Sequence, residues 1–195
     1  MFTSTALAQD ILDSAAKAAE AGPDSLAAAL DQLQAPIYVT DANGVITYFN
    51  PACIGFTGRT PKVGKDRWCV TWKLYTDAGE PLPHDVCPMA VSIRERRPIR
   101  GVTAVAQRPD GTRVNFFPLP TPIVSGDGRF LGAVNMLIDV TELRQLPELR
   151  SQARRARRLS KDVSDSRTAA NLKRMAEELE AKAESLEAAS PYVRL

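Results

Sequence analysis

A chain of 195 residues, 44% apolar and 25% charged, has the composition of a globular protein and room for one compact domain with extensions. Its 25 basic and 23 acidic residues leave a net charge of +2, too small for a global field that would gather nucleic acid or an acidic substrate. Three cysteines form too small and too odd a set for a disulfide framework, the opening MFTSTALAQD lacks the basic start of a signal peptide, and no apolar run reaches the ~20 residues of a membrane span. The expectation is a cytoplasmic, reduced protein without membrane segments.

Residues 5–21 are rich in alanine, with Leu7, Ile11, Ala15 and Ala18 at helical spacing, and Gly22-Pro23 ends the pattern. A second helix is predicted over 24–34, with Leu26, Leu30 and Leu33 on one side. A single apolar stripe fits either a cap on the domain that follows or a dimerisation helix. From Pro36 the texture becomes strand. Ile37-Tyr38-Val39-Thr40 and Val45–Phe49 flank the turn sequence Asp41-Ala42-Asn43-Gly44, which predicts a hairpin. Residues 51–98 carry short helical pieces, the clearest from Pro88 to Arg96, where proline suits a first turn. Strands return at Val102–Gln107 and Thr112–Leu119 around Pro109-Asp110-Gly111, and Phe130–Val140 alternates as a last strand. Two strands, a helical insert and three strands, joined by hairpins, predict an α+β fold with a five-stranded antiparallel sheet and helices on one face.

The tail is helical and charged. Pro147 separates it from the last strand and fits the first turn of a new helix. Arg154, Arg155, Arg157 and Arg158 crowd one block, Glu177, Glu178, Glu180, Glu184 and Glu187 the next, and Ser164-Asp165-Ser166 between them has capping chemistry. Leu172, Ala176, Leu179, Ala183 and Leu186 form a short heptad seam. The two blocks predict an intramolecular helical hairpin or a pairing across a dimer. The Arg block also raises a DNA-associated reading, but no aromatics interleave with it and no helix-turn-helix follows, so nucleic acid is not the expected partner.

Several stretches in order resemble one family. Asp41–Ala52 is similar to the first hairpin and following helix start of PAS domains, Gly55-Phe56-Thr57-Gly58 to the end of the first PAS helix, Arg108–Thr112 to the turn between central PAS strands, Gly126–Val134 to the start of the final strand, and Asp139-Val140-Thr141-Glu142 to the motif that leaves it. The resemblance covers about 34–143. It implies a five-stranded antiparallel sheet around a small pocket, sensing of a ligand, redox state or light, and binding of protein partners. The chain accordingly divides into an N-terminal helical cap (1–33), a PAS domain (34–143) and a charged helical tail (144–195).

Three readings stand for His84, the only histidine, and Cys87 in the segment Leu82–Met89. The resemblance allows a haem site, with histidine or a Cys-Pro thiolate as ligand. His84 and Cys87 with Cys53 and Cys69 form a possible metal set. The structural reading has Asp85 capping the helix while His84 and Cys87 pack locally. The expectation is no cofactor, with haem as the alternative. Light-sensing relatives need an Asn-Cys-Arg-Phe-Leu-Gln motif. Asp66–Trp72 around Cys69 lacks its Asn, Arg and Gln, so no photoadduct is expected.

No phosphate loop appears, and the tail holds no phosphoacceptor histidine, so no enzyme is expected. The function expected is a sensor and adaptor in two-component regulation. It binds a small ligand or partner, forms a homodimer, and regulates a sensor kinase or other regulator in trans through Thr141, Glu142, Leu172, Leu179 and Leu186. A haem- or metal-loaded redox or gas sensor is the alternative.

Overall fold

Asp41 closes the first hairpin itself. One carboxylate oxygen accepts from the amides of Asn43 and Val45, both at 2.9 Å, and Gly44 supplies φ +79°. This turn joins β1 (Ile37–Asp41) to β2 (Ile46–Phe49). The computed structural model describes residues 4–189, so the side chain of Leu7 and residues 190–195 of the tail lie outside the described residues. Two units result, one ending at Asp139 and one beginning at Val140.

In the first unit a mainly hairpin-linked sheet has the order β2-β1-β7-β5-β4-β3, every pairing antiparallel, with β6 also on β7. Its strands are β3 (Lys73–Tyr75), β4 (Ala104–Gln107), β5 (Arg113–Pro118), β6 (Thr121–Val124) and β7 (Phe130–Asp139). Seven segments stand where the sequence predicts five, for two reasons. The expected strand at 112–119 runs on after a break at Leu119-Pro120, and both parts pair with the single long β7. The insert also contributes β3, whose three residues pair with β4.

The register assigns the faces. Tyr38 lies opposite Asn135 and Thr40 opposite Ala133, on the face that carries the cluster of Ile46, Phe56, Val70, Leu74, Met89, Phe116 and Leu137. α3 (Ala52–Thr57) and α4 (Pro88–Glu95) cover this inner face. Ile37, Val39, Val134 and Met136 point the other way and are equally buried. There α1 (Ser4–Ala21) packs on β6 and β7 and α2 (Pro23–Leu30) on α1, burying Leu12, Leu26 and Leu30. Each such leucine contributes up to ~2 kcal/mol. The N-terminal helices thus lie over the outer face, and the sheet is covered on both faces.

Asn50 ties cap, sheet and α3 together. Its Oδ1 accepts from the Ile37 amide at 2.9 Å, and its Nδ2 lies 3.2, 3.2 and 2.9 Å from the carbonyls of Leu30, Leu33 and Ala35. α3 ends on Gly58 at φ +66°, and Arg108, from the β4–β5 turn, donates to the freed carbonyls of Phe56 and Gly55.

The second unit is an antiparallel hairpin of α5 (Leu146–Asp162) and α6 (Ser166–Ala189). Pro147 sits in the first turn of α5, and Asp165 accepts from the Thr168 amide at 2.7 Å as the cap of α6. Arg150 bonds Glu187 at 2.6 Å, and Arg157 meets Glu180 through two hydrogen bonds. Ala153, Ala156, Ala176 and Ala183 are buried, and Leu172, Leu179 and Leu186 half-buried. The heptad seam is therefore used within the hairpin.

Candidate functional site

The inner face holds one buried polar chain in an apolar surround. Asn135 on β7 donates through Nδ2 to Tyr38 Oη on β1 at 3.0 Å, and Tyr38 Oη donates to the Trp68 carbonyl at 2.9 Å. Asn135 Oδ1 accepts the Leu119 amide at 2.9 Å, at the break between β5 and β6. Four segments therefore meet through two side chains. Burial raises the Tyr38 phenol well above its ordinary range, so it stays a neutral hydroxyl. Trp68 reaches this position at φ +67°, and its ring lies over Gly44, where a Cβ would come within 2.2 Å of it. Beside the chain, Thr40 is 2% exposed, and its Oγ1 has no hydrogen-bond partner among the described residues. An unpaired buried hydroxyl costs ~1–3 kcal/mol and marks a place where a polar group is accepted.

The three thiols converge on the same core. Cys53, Cys69 and Cys87 are all buried. Burial, then the neighbouring Cys69, pushes the Cys53 and Cys87 thiols up to about 12. Thr71 Oγ1 donates to Cys69 Sγ at 3.2 Å. Cys53 and Cys87 are therefore packing groups, with almost no thiolate at neutral pH.

His84 belongs to a different neighbourhood. It lies half-buried in a short 3-10 turn, His84–Val86, before α4. Burial, then the charge of Arg59, lowers its pKa from the ordinary 6.5, while Asp66 and Asp85 oppose the shift. Arg59 and Asp66 form an ion pair. The histidine is thus half-buried within reach of these charges, while Cys87 is buried in the core cluster. Among the described residues no group of three or more His, Cys, Asp or Glu is placed to hold a metal. The expected cap is corrected: Cys87, not Asp85, occupies the N-cap of α4, with no side-chain cap bond, because the 3-10 turn carries Asp85 away from the helix start.

Thr141 is half-buried and Glu142 exposed in the turn that follows β7. Sequence reasoning missed Tyr38, Thr40 and Asn135. Asn135 had a visible signal, an amide amid the apolar residues of β7. Tyr38 and Thr40 had none, since both are ordinary strand formers.

The family model for the PAS fold matches residues 24–67. No curated protein sequence matches the chain. Among solved structures, the chain is similar to the PAS domain of a protein from Colwellia psychrerythraea, with 19% identity over 61% of this chain and 97% of that one, TM-score 0.42. It is similar to the Rhodobacter sphaeroides LOV protein, with 14% identity, 92% and 98% coverage and TM-score 0.45. It is also similar to the LOV domain of a blue-light activated histidine kinase from Erythrobacter litoralis, with 19% identity, 55% and 97% coverage and TM-score 0.41. The family match spans α2, the first hairpin and α3 of an antiparallel sheet curled over an inner helical layer, and this α+β unit has a PAS-like fold.

Proposed function

We propose that the chain is a non-catalytic PAS sensor and adaptor that responds to a small ligand or partner and regulates another protein, a kinase or regulator, in trans as a homodimer. The observation that carries the reading is the chain Trp68–Tyr38–Asn135. It connects the insert loop across β1 to β7, and β7 ends at Asp139, two residues before Thr141. Any group that competes for the Tyr38 hydroxyl changes the bonding of Asn135, and β7 is the strand that leads out of the unit. A ligand shifts such a system only through differential affinity for its two states. The inner face supplies that difference as one hydroxyl to satisfy and one hydrogen-bond chain to break.

Two features support a tail output. α5 and α6 are joined by two Arg–Glu contacts exposed to solvent, which is a weak clasp. Leu159 and Met175 are 41% and 48% exposed on this unit. The haem alternative rests on His84 or Cys87 as the ligand.

The test is capture of a kinase or regulator by the full chain and by a chain lacking residues 144–195. Capture is expected to need the tail and to change in Asn135→Ala. Equal capture without the tail overturns the reading. A Soret band in the purified protein that vanishes in His84→Ala establishes the haem alternative.

A further inference from the structure

We infer that the α5–α6 hairpin carries a self-complementary charged face on which a second copy of this chain docks about a two-fold axis parallel to the helices. The inference deepens the homodimer proposed above and rests on the reading of the tail as output. The expected dimer seam is not available for the purpose, because Ala176 and Ala183 are buried and Leu172, Leu179 and Leu186 half-buried within the hairpin.

The face is defined by the ion pairs. Arg150–Glu187 and Arg157–Glu180 run along one side of the hairpin and fix its register: 157 is level with 180, and 150 with 187. At ~100° per residue, Arg154, Arg158 and Lys161 project on the same side of α5 as Arg150 and Arg157, but further out. Likewise Glu177 and Glu184 project on the same side of α6 as Glu180 and Glu187. All five are exposed. Arg154, Arg158 and Lys161 have no ion-pair partner among the described residues. The side is thus a basic strip, a neutralised middle and a strip made acidic by Glu177 and Glu184, with the exposed Lys173 one turn before them.

The strips lie at one height. By the register of the two bridges, Arg154 is level with Ala183, beside Glu184, and Lys161 is level with Ala176, beside Glu177. Rotation about an axis parallel to the helices preserves height and exchanges left for right. It therefore sets the basic strip of each copy against the acidic strip of the other, with Arg154 meeting the partner's Glu184 and Lys161 the partner's Glu177. An axis across the helices sets basic on basic and is excluded by repulsion. The contact is isologous and closes as a dimer. Because the pairs are exposed, the dimer is weak and dissolves in salt.

The experiment is sedimentation of the full chain across micromolar to several hundred micromolar protein, at about 0.05 M and about 0.5 M salt. One variant makes both strips acidic (Arg154→Glu, Arg158→Glu, Lys161→Glu), and another makes both basic (Glu177→Lys, Glu184→Lys). Neither replaces a residue of the internal bridges, and unchanged helical circular dichroism verifies folding. The wild type is expected to dimerise at low salt, with an association constant at least ~10-fold lower at high salt. Each variant alone is expected to be monomeric, and their mixture to form a heterodimer. A monomeric wild type at low salt, undiminished self-association of both variants, or a mixture that stays monomeric each overturns the inference. So does salt-sensitive binding of duplex DNA or anionic vesicles by a monomeric wild type, which assigns the basic strip to a polyanion. Tail-dependent capture of a kinase by a monomeric chain overturns this dimer and leaves the regulatory reading standing.

Discussion

Asn50 is the residue on which most of the first unit's joints converge. It is fully buried, and its one side chain serves the Ile37 amide and faces three carbonyls at the end of the cap. Asn50→Ala strands these groups away from water and is expected to cost roughly 2–4 kcal/mol in urea unfolding. His84 acts through protonation. Its folded pKa lies below the unfolded 6.5, so the fold prefers the neutral ring. As pH falls through 6.5 the unfolded chain takes the proton first and gains stability relative to the fold. Stability is therefore expected to fall between about pH 7 and the lowered folded value and to level off below it. His84→Gln should flatten that part of the curve of urea midpoint against pH.

At the scale of elements, the junction of β1 with β7 contains one close backbone approach. Gly132 has φ +147°, and a Cβ there would lie 1.9 Å from the Thr40 carbonyl oxygen and 2.8 Å from the Asp41 carbonyl carbon. Backbone cannot swing aside as a side chain can. Gly132→Ala is expected to separate the strands at the Asp41–Gly132 pair and to cost at least ~3 kcal/mol by denaturant unfolding. Gly126→Ala, in the neighbouring loop with open space around it, is expected to stay within ~0.5 kcal/mol of wild type. The sequence makes the loop 125–128 legible as a turn but gives no sign that Gly132, inside a strand pattern, is the constrained position. That constraint comes from β1, which lies more than ninety residues upstream.

The whole molecule joins two units held by different forces. The first has an apolar core on both sides of its sheet, whereas the hairpin places small buried alanines between helices clasped by exposed Arg–Glu contacts. At 1 M salt the screening length is about 3 Å, against about 10 Å at 0.1 M, so salt weakens the clasp and spares the core. Hydrogen exchange at these two salt concentrations is expected to speed up in α6 and to stay constant in β7. Equal acceleration in both would show that the clasp does not hold the hairpin.

Local physics made much of this readable. Asn-Gly and Pro-Asp-Gly turns, alternation in β7, proline at the starts of α4 and α5 and the capping Asp165 depend on neighbours a few residues apart, so the sequence alone determined most of the elements and the antiparallel α+β class. The tertiary structure decided what depends on distant partners: that Pro120 splits one strand in two, that the heptad seam closes on α5, and that Tyr38 meets Asn135. Spacing along the chain carries no record of contacts made across a sheet face. The chemistry of this domain lies in those contacts, because burial there fixes which polar groups are paired.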